Sequence, residues 1–217
     1  MPELTLIIGN KNYSSWSLRP WILLQHLGLE FTEQQIPLDQ ADSAARIRAI
    51  NPAGRVPVLR HGELMIWESI AIGEYLCELA GQGLPLERAA RAQARSVSAE
   101  MHSGFHTLRT QWPMNARALG RRTAMSATLQ GDITRIDHIW CECRERYGAG
   151  GPWLFGDYSL ADAMYAPVVL RFRSYGARLS ASAQQYMAMA LADSAMQAWV
   201  AAAAAEPWTI AADEAGA

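Results

Sequence analysis

The sequence predicts an α/β fold joined to an all-α fold. A domain over residues 1–80 has the element order β-α-β-α-β-β-α, and a helical domain follows over residues 87–217. Three observations predict this. The first 80 residues alternate short β-like runs with helix-like ones, "GQGLPLE" (81–87) is the one central stretch with linker composition, and no strand signal survives beyond it.

Each element has its own signal. "LTLIIG" (4–9) is a continuous apolar run of the length of a buried strand, and "LRPWILLQHLG" (18–28) has helical spacing and ends on a glycine suited to a C-terminal cap. Pro20 lacks an N–H and is expected in the first turn, which puts the helix start between Ser15 and Arg19. "LEFTEQQIPL" (29–38) alternates like a strand, and "SAARIRAIN" (43–51) is a short helix ending before Pro52. "VPVLR" and "LMIW", separated by "HG", form a hairpin, and "ESIAIGEYLCELAG" (68–81) is a third helix. The early crossover demands a parallel pair and the hairpin adds an antiparallel edge, giving a mixed sheet with helices on both faces. In the second half, one helix runs to Pro113, a second ends at Gly148, a third spans "SLADAMYAPVVLRFRSYG", and an Ala-rich helical tail stops at Pro207.

Composition narrows the function. The 217 residues are 50% hydrophobic, enough for a substantial core. With 19 basic and 21 acidic residues the net charge is −2, which gives no reason to expect nucleic acid. Cys77, Cys141 and Cys143 make no disulfide framework, and Cys141 and Cys143 point apart on a helix, so no metal is expected. The start "MPELTLIIGNKN" is unlike a signal peptide, and no apolar run approaches the roughly 20 residues of a membrane span. The expectation is a soluble, cytoplasmic protein with no membrane partner.

Three places carry chemistry. "GNKNYSSWSLRPW" (9–21) packs hydroxyls where the first strand turns into a helix. Val56-Pro57-Val58 puts a proline at the mouth of an apolar strand. It is either an ordinary edge-strand proline or a cis peptide that turns the backbone groups of Val56 toward a ligand. Glu68 and Ser69 open the third helix, where Ser69 is suited to capping. The alternative is that the free helix-end amides receive a carboxylate while Glu68 takes an ammonium.

Together with the helical second half, these stretches resemble the cytosolic glutathione transferase family. "NPAGRVPVL…WESIAIGEYL" resembles its thioredoxin-like domain, "SSWSLRPW" is similar to the serine motif of its zeta class, and "FGDYSLADAMYAP" resembles its folding motif, with Ser159 and Asp162 as a capping box. The resemblance implies a homodimer, a glutathione site on the first domain and a site for a small hydrophobic electrophile on the helical one. By position, Val56 would hold the cysteinyl part of glutathione through its main chain, Glu68 and Ser69 the γ-glutamyl end, and Arg55 and Gln40 the glycyl carboxylate. Arg55 equally fits a solvated surface residue. Ser14 would be the thiol-activating hydroxyl, just before a positive helix end, with Ser15 as its close second.

One residue departs from the resemblance. Trp16 stands where the zeta motif has cysteine, which argues against maleylacetoacetate isomerase activity. His102 and His106, four apart, are expected on one helix face with Phe105 and Arg109, either lining the electrophile pocket or satisfied at an interface. The reading is therefore a serine-type glutathione transferase. The alternatives are a glutathione-dependent cis-trans isomerase and a non-catalytic binding module on the same fold.

Overall fold

The computed structural model describes residues 3–217. Strand β1 (Leu4–Ile8), helix α1 (Ser15–Leu27), β2 (Thr32–Gln35), α2 (Ser43–Ile50), β3 (Val58–His61), β4 (Leu64–Trp67) and α3 (Ser69–Ala80) form the first part. The sheet order is β2-β1-β3-β4, with β1 parallel to β2 and antiparallel to β3, and β3 antiparallel to β4. This is the mixed sheet that the element order predicts and the thioredoxin-like arrangement that the family resemblance implies. The period of two in β1 divides its side chains between two cores. Leu6 and Ile8 join the large core with α1 and α3, whereas Ile7 joins Ile36, Ile47 of α2 and Val58 on the other face.

The helical part comprises α4 (Arg88–Ser103), α5 (His106–Gln111), α6 (Ala127–Tyr147), α7 (Leu160–Tyr175), α8 (Ala181–Ala192) and α9 (Ser194–Ala204). Almost every residue of α7 is buried. Its start is fixed by the capping box: Ser159 N–H and its hydroxyl donate to Asp162 Oδ2 at 2.9 and 2.7 Å. Asp162 Oδ1 accepts from Leu154 N–H and the Tyr186 hydroxyl. Gly73 lets α3 reach this point, since a Cβ there would lie 2.4 Å from Leu160 Cδ1.

Three local expectations are corrected, and one feature is new. Helix α1 begins at Ser15, so Pro20 is its sixth residue and lies beyond the first turn, leaving the Trp16 carbonyl without an N–H four residues on. The hairpin turns at Gly62 and Glu63, with His61 still in β3. The helix expected to run to Pro113 breaks after Ser103, because Phe105 takes a left-handed conformation (φ 59°, ψ 41°) that interrupts the helical ladder. Finally, the chain after Ala204 returns to the first part: Glu206 accepts from Lys11 N–H at 2.6 Å and Asn12 N–H at 3.0 Å, and Glu214 accepts from the Tyr13 hydroxyl at 2.6 Å. No helix among the described residues is long and apolar enough to cross a membrane.

Candidate active site

A cleft of about 810 Å³ lies between the sheet domain and the helical part. Its first wall is the head of α1. Ser14 is the N-cap, its oxygen accepting weakly from Ser17 N–H at 3.4 Å. The Ser14 and Ser17 hydroxyls are 2.7 Å apart, and Ser17 Oγ also accepts from Gly9 N–H at 3.0 Å. Ser15 is the first helical residue and accepts from Arg171 Nη2 at 3.3 Å. Both serines line the cleft.

The second wall is the step from α2 to β3. Val56 and Arg55 line the cleft, and the Val56–Pro57 peptide is cis. Of the two conformations open from sequence, this is the one adopted. The third wall is the amino end of α3. Glu68, not Ser69, is its N-cap, and no side chain caps the helix, so its first amides are free of that competition. Glu68 has φ 69°, a sparsely populated conformation for a non-glycine residue, and such positions concentrate at ligand sites. Ser69 is buried as the first helical residue and accepts from Arg19 Nη1 at 3.4 Å.

The helical part supplies the remainder. His102, in the last turn of α4, and His106, at the start of α5, both line the cleft although they lie on separate helices. His102 Nε2 is 3.6 Å from Glu68 Oε2, and its ring meets Trp16 edge-on at 5.4 Å. Burial, then the charge of Arg19, push the His102 pKa down, outweighing the pull of Glu68. Arg109 also lines the cleft, donating to the Met101 and His102 carbonyls.

Two expected residues are outside. Phe105 is buried in the large core, because the chain break at its own φ turns it away from the stripe that a continuous helix would present. Gln40 is exposed and its amide donates to the Leu38 and Asp39 carbonyls, so it is spent on its own loop. Cys77 does not line the cleft, and burial pushes its thiol up to about 12.

Sequence reasoning missed Arg171, Asp213, Tyr13, Pro113 and Met114 on the cleft wall. A signal existed for Arg171: it is a cation inside the otherwise apolar run "AMYAPVVLRF". None existed for Asp213, which reaches the cleft only because the tail folds back. Tyr13 lies against the cleft, but its hydroxyl donates to Glu214 Oε1 and accepts from Arg117 Nη2, which engages both its proton and a lone pair.

Comparison with known proteins fits this geometry. Residues 13–79 match the family model for the glutathione S-transferase N-terminal domain. A probable maleylacetoacetate isomerase of Caenorhabditis elegans is 27% identical over 159 residues, covering 70% of this chain and 73% of that protein. A glutathione transferase structure from Methylococcus capsulatus superposes with a TM-score of 0.65 at 25% identity, over 93% of this chain and 98% of that one. The theta class glutathione S-transferase of Xanthomonas axonopodis, solved with glutathione bound, superposes with a TM-score of 0.68 at 21% identity, over 92% of this chain and 98% of that one.

Proposed function

We propose that the chain is a glutathione S-transferase, a reading supported by the match of residues 13–79 to the N-terminal domain of that family and by the shared fold, and that its cleft binds glutathione and ionises the thiol for attack on a small hydrophobic electrophile. One observation carries the reading. The Ser14 hydroxyl at the head of α1, Val56 ahead of β3, and the uncapped amino end of α3 with Glu68 meet around a single cleft.

The chemistry of each wall suits one part of the tripeptide. The α3 amides and the positive helix end take the γ-glutamyl carboxylate, and Glu68 takes its ammonium. The main chain of Val56 pairs with the cysteinyl residue, and Arg55 with the glycyl carboxylate. Gln40 has no part in it. The thiol then reaches Ser14. Ser17 Oγ accepts from Gly9 N–H, which leaves its own hydroxyl to donate a hydrogen bond to Ser14 Oγ and frees the Ser14 hydroxyl to donate to sulfur. Ser15, engaged by Arg171, is the second candidate. His102, His106 and Arg109 face the electrophile.

The isomerase reading is favoured by the Caenorhabditis elegans relative and opposed by Trp16, whose indole stands in the place of a cysteine. We further propose a cytoplasmic homodimer, for which the exposed Leu64 and Trp67 of the edge strand β4 offer apolar surface. Retention on immobilised glutathione, followed by conjugation assays on a panel of electrophiles that includes a maleyl analogue, tests the proposal. A protein that is not retained and conjugates nothing refutes it, and turnover of the maleyl analogue alone favours the isomerase.

A further inference from the structure

Resting on the reading that this cleft joins glutathione to an electrophile, we propose that the electrophile carries a carboxylate, held by Arg109 and Arg171 beside Trp16. Two guanidinium groups line the cleft, Arg109 from α5 and Arg171 from α7, and a third, Arg19 from α1, lies buried against Trp16. The Cζ atoms of Arg19 and Arg109 lie over the Trp16 ring at 4.3 and 4.6 Å from its centre. Arg19 and Arg171 are only 2% and 6% exposed.

None of the three is in an ion pair among the described residues. Their partners are neutral. Arg19 donates to Ser69 Oγ, Arg109 to two carbonyls at the end of α4, and Arg171 to the Arg109 and Trp112 carbonyls and to Ser15 Oγ. The Nε groups of Arg19 and Arg109 are buried without any partner. The acids in the neighbourhood are turned to other tasks or stand off: Asp132 accepts from Leu108 N–H, and Asp213 lines the cleft without pairing with Arg171.

Buried cations outside any ion pair are costly: burial and the charge of Arg109 push the pKa of Arg19 and Arg171 down, for Arg171 against the opposing pull of Asp213. A cleft wall whose guanidinium groups, among the described residues, form no ion pair is suited to receive an anion. The carboxylates of glutathione are assigned above to α3 and Arg55, so this cluster is left for the second substrate. A planar guanidinium matches a planar carboxylate, while Trp16, Pro113 and Met114 offer apolar surface for the rest of the molecule.

The test uses a chloronitrobenzoate and the matching chloronitrobenzamide, which differ in charge and little in shape. In each reaction the glutathione thiolate forms a carbon–sulfur bond at the chlorinated ring carbon, chloride leaves with the electron pair of the broken bond, and the thiol proton passes to solvent. Each kcat/KM is divided by the uncatalysed rate constant of the same pair, which removes the intrinsic difference in reactivity. The wild-type protein is expected to favour the benzoate by about 10- to 100-fold, the range of one charge-assisted hydrogen bond. In Arg109→Gln, and separately in Arg171→Lys, the ratio is expected to fall at least several-fold. A ratio is insensitive to the fraction of enzyme folded, and the wild-type ratio decides the matter if neither variant folds. A wild-type ratio near or below unity overturns the proposal, as does benzoate inhibition that is competitive with glutathione and not with the electrophile. Failure of glutathione binding, or absence of conjugation with both compounds, would instead refute the transferase reading itself.

Discussion

Glu206 holds the returning tail against the loop that carries Ser14, and its removal offers a quantitative check on that arrangement. The residue is 8% exposed and its carboxylate accepts from two backbone amides, Lys11 N–H and Asn12 N–H, and from the Gln35 side chain. In Glu206→Ala all three donors lose their acceptor. A hydrogen bond to a charged group contributes about 1.5–3 kcal/mol, and two backbone amides left without partners put the loss at about 3–6 kcal/mol. Water entering the vacated space recovers part of this, so we expect about 2–4 kcal/mol. For a chain of this size each kcal/mol moves Tm by about 2–4 °C, which gives a fall of about 4–16 °C. Glu206→Gln keeps one acceptor oxygen and should fall between the two. Denaturant unfolding of the three proteins, with KM for glutathione measured alongside, is the assay. A loss below about 1 kcal/mol in Glu206→Ala would refute the view that the tail organises the loop before α1.

Three further outcomes are expected. Glu68→Ala should weaken glutathione binding about tenfold, the low end of about 1.5–3 kcal/mol because this carboxylate is partly exposed; calorimetry giving an unchanged affinity would remove Glu68 from the γ-glutamyl site. His102 is held below its ordinary pKa in the folded protein, so the unfolded chain takes up that proton first, at about pH 6.5. The stability it contributes is present above that pH and is lost as pH falls through the lower folded value. His102→Asn should therefore lose less stability than the wild type between about pH 7 and pH 5, and identical pH slopes would contradict the assignment. Sedimentation at micromolar concentration should give a dimer, and a single species of monomer mass would refute it.

Much of this was legible in the sequence. The strand "LTLII", the glycine stops at Gly28 and Gly81, the hairpin and the Ser159–Asp162 box all declare themselves through local chemistry, and each is present. So are the serines at the head of α1 and the Glu-Ser pair at α3, because a helix end fixes where its neighbours point. The misses share a different cause. The break at Gly104-Phe105 depends on a left-handed residue that is not a glycine, which no propensity marks, so Phe105 was expected on the cleft wall. The return of Glu206, Asp213 and Glu214 over the first domain is made by contacts nearly two hundred residues apart in sequence. The convergence of Arg19, Arg109 and Arg171 likewise needs three helices packed together, and no spacing within one segment reveals it.

The central claim is that Ser14 makes the thiol of bound glutathione a thiolate. A reference thiol with a pKa of about 8.5 is roughly 3% ionised at pH 7, and lowering it by about 2 units makes roughly three-quarters of it thiolate. Because nucleophilicity falls with pKa, this alone leaves only a few-fold in rate, and the rest must come from holding sulfur and electrophile together. The direct measurement is the ultraviolet thiolate band of the glutathione complex, titrated with pH in the wild type, Ser14→Ala and Ser15→Ala. Ser14→Ala should still bind glutathione, lose the band at neutral pH and lose turnover with it, while Ser15→Ala keeps most of both. An intact band in Ser14→Ala, with Ser15→Ala the crippled variant, would move the role one residue along; an intact band in both would contradict the serine mechanism.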